Sequence, residues 1–197
     1  MSRDKFINIL ASSSPRRKDI LSRIGFSFKT IPSQIDENFN LELPPEAFCE
    51  HWAREKAKII ADSNSDSFVI GADTIIFSEG RVLGKPRNEK QSISMLESIS
   101  GKTHEVLTGV SIINLKYEID ITFNQISRVT CNTLSKEDIL NYIENFRPFD
   151  KAGSYGIQDG FCKYINNIEG CFYNILGFPI SKFYKEYHIA TKEIIID

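Results

Sequence analysis

The strongest apolar run in the chain is Phe68-Val69-Ile70, followed by the small residues Gly71 and Ala72 and then by Asp73-Thr74-Ile75-Ile76-Phe77. Three consecutive apolar residues predict a strand buried on both faces, with an acidic residue where that strand should end. Ahead of it, residues 6–10 read as a short apolar first strand. Ser14 as cap and Pro15 as first helical residue then open a helix whose packed face is Ile20, Leu21 and Ile24, stopped by Gly25. Residues 26–31 alternate like a half-buried strand. Pro44-Pro45-Glu46 starts a long helix running to Asp62, on which Cys49, Trp52, Ile59 and Ile60 form one apolar arc, with Lys56 inside it.

Beyond the central run, a turn at 78–81 and a return strand Val82-Leu83 end at Gly84-Lys85-Pro86, so a hairpin would bring Lys85 back beside Asp73. Residues 88–100 form a helix capped by Asn88 and stopped by Gly101, with Ile93, Leu96 and Ile99 inward. Three strands follow, at 106–113, 117–123 and 126–133, and the short turn at 114–116 makes antiparallel neighbours, hence a mixed sheet. Ser135-Lys136-Glu137-Asp138 has the form of a capping box opening a helix to Phe146, with Ile139, Leu140 and Ile143 inward. Segments 161–165 and 172–176 and a helix after Gly177-Phe178-Pro179 complete the fold, with fraying expected from Tyr187 onward. The pattern has no repeat and no low-complexity linker, which predicts one α/β domain over residues 1–197.

Composition narrows the function classes. The 197 residues carry 24 Lys and Arg against 26 Asp and Glu, a formal net charge of −2, which gives no general pull toward nucleic acid or an anionic membrane. An anion site must therefore be a local cluster of cations. No apolar run approaches the length of a membrane span, and Met1 to Lys5 are soon followed by Ser12-Ser13-Ser14-Pro15, which interrupts a secretory core. A cytoplasmic location is expected. Cys49, Cys131, Cys162 and Cys171 show no C-x-x-C pair and no metal spacing with His51, His104 or His188, so reduced thiols are expected.

The candidate chemistry gathers around Asp73. Open α/β sheets bind ligands outside the carboxyl ends of their strands, so Asp73 is placed for chemistry there, unless it only caps a turn. Arg16, Arg17 and Lys18 crowd the first turn of their helix, where the dipole is already positive. Each such cation costs about 0.3 to 1 kcal/mol. An anion bound beside Ser12 and Ser14 would reverse that cost; the alternative is a solvated basic surface, which suits Lys18 better than Arg16. Asp36 and Glu37 can join Asp73 around Mg²⁺, or serve only the solubility of their loop. Lys56 either snorkels past the apolar stripe or reaches a negative group. Lys85, held between Gly84 and Pro86, offers a point charge, and Gln158 offers a donor and an acceptor to one edge of a base. His104 receives no catalytic role.

Leu10-Ala11-Ser12-Ser13-Ser14-Pro15-Arg16-Arg17, Gly71-Ala72-Asp73-Thr74, Gly84-Lys85-Pro86, Ser100-Gly101-Lys102-Thr103-His104 and Asp150-Lys151-Ala152-Gly153-Ser154-Tyr155-Gly156-Ile157-Gln158 together resemble the Maf family of nucleoside triphosphate pyrophosphatases, nearly end to end and in the same order. The resemblance implies the two-lobed mixed-sheet α/β fold of the inosine triphosphate pyrophosphatase-like (Maf/Ham1) superfamily with a central cleft. It implies hydrolysis of a nucleoside triphosphate to the monophosphate and pyrophosphate with Mg²⁺, and a homodimer. By resemblance Asp73 is the proton acceptor, and Glu37, Lys56 and Lys85 line the metal and phosphate site, with Asp73 and Glu37 as metal ligands.

Arg16, Thr74 and Gln158 are similar to the members that prefer dTTP and UTP, whereas the branch preferring 7-methyl-GTP carries Trp, Gln and Glu at the matching positions. A neutral amide can answer the N3–H and O4 of uracil or thymine, while a carboxylate can only accept. The chain departs from the family pattern at Asp159-Gly160-Phe161, in place of a more glycine-rich run, and at Cys171, where an acidic residue is usual. A regulatory nucleotide-binding protein linked to cell division, with little hydrolysis, is the competing expectation.

Overall fold

The computed structural model describes residues 6–38 and 41–196. The opening Met1 to Lys5 lie outside the described residues. Its elements are β1 (Asn8–Leu10), α1 (Pro15–Arg23), β2 (Lys29–Thr30), α2 (Pro45–Ala61), β3 (Phe68–Ser78), β4 (Arg81–Leu83), α3 (Glu89–Ile99), β5 (Thr103–Asn114), β6 (Ile119–Cys131), α4 (Lys136–Phe146), β7 (Ile165–Glu169), α5 (Phe172–Ile175) and α6 (Ile180–Ile196). Short 3-10 turns at Ala152–Ser154 and Gly160–Tyr164 lie between α4 and β7.

The sheet runs β2-β1-β3-β5-β6-β7, with β4 also paired to β3. β1 runs parallel to β2 and β3, and every other pairing is antiparallel, giving the expected mixed sheet. β1 and β4 share one edge of β3: β1 pairs with residues 68–70 and β4 with residues 76–78. That edge therefore forks, and residues 71–75 have no strand neighbour on it among the described residues. The site lies in this fork.

Alternation along β3 sends odd and even residues to opposite faces. On the odd face α2 lies across the sheet, with Ala57, Ile60 and Ala61 against Ile9, Val69 and Ile113, and Phe48, Cys49 and Trp52 against Ile75 and Leu107. Two glycines let it approach closely. A β-carbon on Gly71 would overlap Ala53 O and lie 2.8 Å from Ala57 N, and one on Gly109 would overlap Cys49 O. On the even face, α1 and α6 cover Leu10, Phe68, Ile70, Val110 and Ile112, while α3, α4 and Phe161 cover Ile76, Val106 and Val129. These two clusters are the lobes, and the cleft opens between them.

Several expectations need correction. β3 does not end at Asp73 but continues five residues further, because β5 pairs with it through Phe77. The three strands expected between 106 and 133 are two long ones, β5 and β6, joined in an unbroken register from Thr103↔Thr130 to Asn114↔Ile119. Of residues 26–31 only Lys29 and Thr30 are strand; Phe26 turns its ring onto Phe183 and Tyr187 of α6 instead. Ile24, Ile59 and Leu140 are exposed rather than inward, since each lies at the margin of its helix's apolar stripe. The chain does not fray at Tyr187: α6 continues to Ile196, and Tyr187 OH donates to Asn8 Oδ1 at 2.6 Å. Of the three expected caps, Asn88 accepts from Gln91 N and Ser135 forms a reciprocal capping box with Asp138, whereas Ser14 stands at the cap position of α1 without a side-chain capping hydrogen bond.

Candidate active site

A cleft of about 620 Å³ opens at the fork. Ser12, Ser14, Arg16, Arg17, Glu37, Lys56, Asp73, Thr74, Lys85 and Gln158 all line it, although they span nearly 150 positions of sequence. Asp36 and Lys18 are exposed and lie outside its lining. The wall carries five cations, Arg16, Arg17, Lys56, Lys85 and Lys151, against the three carboxylates of Glu37, Asp73 and Asp150. A basic local surface is thus built into a chain of slightly acidic overall charge.

On the odd face of β3, Lys56 Nζ donates to Asp73 Oδ1 at 2.7 Å and lies 2.7 Å from Glu37 Oε1. Asp73 is 5% exposed, and its Oδ2 is buried with no hydrogen-bond partner. An orphaned carboxylate oxygen in a polar cleft is costly unless a ligand group meets it. The open question over Lys56 is resolved geometrically: its stem crosses the apolar stripe, and its ammonium reaches two carboxylates. The close seating of α2 on Gly71 and Gly109 makes this possible, because the helix backbone rests almost on the strand that carries Asp73.

Asp73 and Glu37 offer hard oxygen donors on one side of the cleft, and among the described residues no group of three or more His, Cys, Asp or Glu converges as a metal cage. Two carboxylates completed by substrate phosphates is the arrangement that Mg²⁺ commonly takes, so the donor set and the orphaned Oδ2 fit such an ion.

On the even face, Arg17 is buried with every guanidinium nitrogen engaged. Nε donates to Gly177 O, Nη1 to Ser12 Oγ and Nη2 to Thr74 Oγ1, each at 3.0 Å. Burial lowers its pKa, opposed chiefly by the charge of Asp73. Thr74 also shares a hydrogen bond with its cross-strand neighbour Thr108 at 3.0 Å, and Thr108 donates to Asn174 O at 3.1 Å. Asn174 Nδ2 in turn donates to Val106 O and Ser127 Oγ, both at 2.9 Å. A continuous polar strut thus runs from Arg17 of α1 across the even face of the sheet to Asn174 of α5.

At the cleft mouth, Arg16 Nη1 donates to Asp150 Oδ2 at 2.9 Å, across from one lobe to the other, and Lys151 Nζ donates to Asp150 Oδ1 at 2.8 Å. Burial works to raise the Asp150 pKa, but these two hydrogen bonds outweigh it and hold the carboxyl below its usual range. Lys85 lines the cleft exposed, with no salt bridge among the described residues. Sequence reading missed Asp150, Thr108 and Asn174. The position of Asp150 beside a glycine-punctuated loop was a signal for the first; nothing in the sequence marks the other two.

A family model described as "Maf-like protein" matches residues 8–188. This chain belongs to that family. A protein of Bacillus cereus named "dTTP/UTP pyrophosphatase" is 43% identical over 178 residues, covering 90% of this chain and 92% of its own. A Caldicellulosiruptor saccharolyticus protein of the same name is also 43% identical, over 88% of this chain and 89% of its own. Among solved structures, Ham1 proteins of Staphylococcus aureus and Coxiella burnetii each match 64% of this Maf-like chain. They cover 71% and 73% of their own chains, with TM-scores of 0.45 and 0.41 and identities of 12% and 13%.

Proposed function

We propose that this Maf-like protein is a nucleoside triphosphate pyrophosphatase that converts dTTP and UTP to the monophosphate and pyrophosphate. Relatives of that name match it nearly end to end. The observation that carries the reading is the buried Lys56 bridging Asp73 and Glu37 at 2.7 Å, in a cleft whose wall is otherwise rich in cations. A site for a neutral ligand would have no use for that balance.

In the reaction, water attacks the α-phosphorus, the bond to the bridging oxygen breaks, and pyrophosphate leaves with its electron pair. Asp73 Oδ2, the unpartnered oxygen, orients the water and accepts its proton. Lys56 keeps the Asp73 carboxylate fixed, and Lys85 and Arg16 offset charge that grows on the leaving phosphates. Asp73 and Glu37 would hold Mg²⁺, which when bound would supply positive charge against the triphosphate and would lower the pKa of a coordinated water. Ser12 and Ser14, at the start of α1, supply hydroxyls to the phosphate chain, and Arg17 holds Ser12 and Thr74 in place. Arg16, Thr74 and Gln158 select the base, the Gln158 amide answering a pyrimidine N3–H and O4.

A cytoplasmic location agrees with a soluble nucleotide pool and with four free cysteines, and no helix among the described residues is long and apolar enough to cross a membrane. The deciding experiment is pyrophosphate release from a panel of canonical triphosphates, with and without Mg²⁺. Turnover of dTTP and UTP well above the purine substrates supports the reading. Tight binding of dTTP without turnover would overturn it in favour of a regulatory nucleotide-binding protein.

A further inference from the structure

The turn that carries Gln158 is held from behind by a single carboxylate. Asp159 Oδ1 accepts from Tyr142 OH at 2.9 Å and from Phe161 N at 3.1 Å. The same Tyr142 hydroxyl accepts from Gly156 N at 3.1 Å, so one phenol ties both ends of the turn between Gly156 and Asp159. The backbone closes the ring, with Asp159 N donating to Gly156 O at 3.3 Å and Cys162 N donating to Asp159 O at 3.0 Å. Lys151 Nζ stands 3.8 Å from Asp159 Oδ2. The interior of the turn has no spare room: a β-carbon on Gly156 would sit 2.6 Å from Asp159 Oδ2 and 2.9 Å from Lys151 Cε.

Tyr142 is itself buried in the α4 lobe at 3% exposure. Burial raises the pKa of its phenol, and the nearby Asp159 charge pushes the same way, so it remains a proton donor to that carboxylate. Gln158 differs from its neighbours. It is exposed, it lines the cleft, and its side chain makes no hydrogen bond among the described residues. The backbone on either side is pinned while the amide is left to face a ligand.

We infer that Asp159 is a positioning residue for base selection, fixing the turn that aims the Gln158 amide at the nucleobase through its bonds to Tyr142 and Phe161. The inference rests on the proposed reading of Gln158 as the group that meets the base. An amide distinguishes O4 with N3–H from an amino group with a bare N3 only while its donor and acceptor are held in register with that edge. Released from Asp159, the turn can rotate the amide, and discrimination falls before chemistry does.

The test compares Asp159→Ala, Asp159→Asn and Gln158→Ala with the wild type, measuring kcat and KM for dTTP, UTP and dCTP by pyrophosphate release. In Asp159→Ala, KM for dTTP should rise about tenfold and the preference for dTTP over dCTP in kcat/KM should fall about tenfold, with kcat for dTTP changing less than about threefold. Asp159→Asn, which keeps an acceptor for Tyr142 OH, should recover most of the preference. If Gln158→Ala relaxes the preference and Asp159→Ala does not, the inference fails while the base-reading role of Gln158 stands. If Gln158→Ala leaves the preference unchanged, the base-reading role fails and takes the inference with it. An equal loss of kcat for every substrate in Asp159→Ala would mark a structural role only and also overturns it. Should Asp159→Ala not fold, Tyr142→Phe removes the same tie from the opposite side, and an unchanged preference there counts against the inference.

Discussion

Lys56 Nζ lies 2.7 Å from Asp73 Oδ1, and the other oxygen of that carboxylate is buried without a partner. One oxygen is thereby engaged in holding the group still, and the other is the one the proposed mechanism uses. Asp73→Asn should lower pyrophosphate release from dTTP at least about a hundredfold, the scale of losing a positioned general base. Far-ultraviolet circular dichroism should be unchanged, since the amide keeps the shape and can still accept from Lys56. Turnover close to wild type in a folded variant would remove Asp73 from its proposed role.

Replacing Lys56 has a different signature. Lys56→Met leaves Asp73 and Glu37 facing each other without their shared cation, and breaking such a buried pair costs about 3 to 5 kcal/mol. Urea unfolding at neutral pH measures it. A change below about 1 kcal/mol would show that the carboxylates are solvated well enough to do without the lysine.

Gly71 tests the link between packing and chemistry. A methyl group there meets the backbone of α2 at Ala53 and Ala57, so relief requires the helix to move. Gly71→Ala should destabilise the protein by about 1 to 3 kcal/mol, as overpacking does, and should reduce turnover further by drawing Lys56 away from Asp73. Gly25→Ala provides the contrast, because nothing lies within 4 Å of a β-carbon there; its strain comes only from a positive φ of 69°, and its turnover should match wild type.

How far the chain discloses itself can be judged from these same residues. Helix starts were readable because caps are local: Asn88 with Gln91 and Ser135 with Asp138 lie three positions apart. The odd placement of Lys56 within an apolar arc showed that the residue needed a reason but left two open, and only the folded geometry chooses the carboxylate partners over snorkelling to water. The partner of Arg16 was not readable, because Asp150 lies 134 positions away and its neighbourhood exists only once both lobes are folded. Strand boundaries failed for a related reason. Asn124 and Gln125 looked like a break between strands, yet the β5 ladder carries them, with Asn124 Nδ2 donating to Glu50 Oε1 at 2.7 Å from α2. Ile59 misled because a helical wheel does not reveal which edge of its stripe meets the sheet.

His104 predicts a pH dependence. It is 1% exposed, shares a 2.7 Å hydrogen bond with Tyr155 OH, and burial lowers its pKa from the usual 6.5 to about 4. The folded state resists protonation while the unfolded chain accepts it, so this contribution to stability is complete above pH 6.5 and is lost as pH falls toward 4. From pH 7 to pH 5 the wild type should lose about 2 kcal/mol through this group, and His104→Gln should lose correspondingly less over the same interval. Parallel unfolding curves for the two proteins at both pH values would exclude it.

The fork in the sheet has a further consequence for how this protein can change over generations. Asp73 rides on the strand with the most neighbours, while Gln158 rides on a short turn attached to the rim by Tyr142. Exchanging that turn would leave Asp73, Lys56 and Glu37 where they are, so on the proposed reading of Gln158 a lineage can vary one part of its base recognition without giving up the cut it makes.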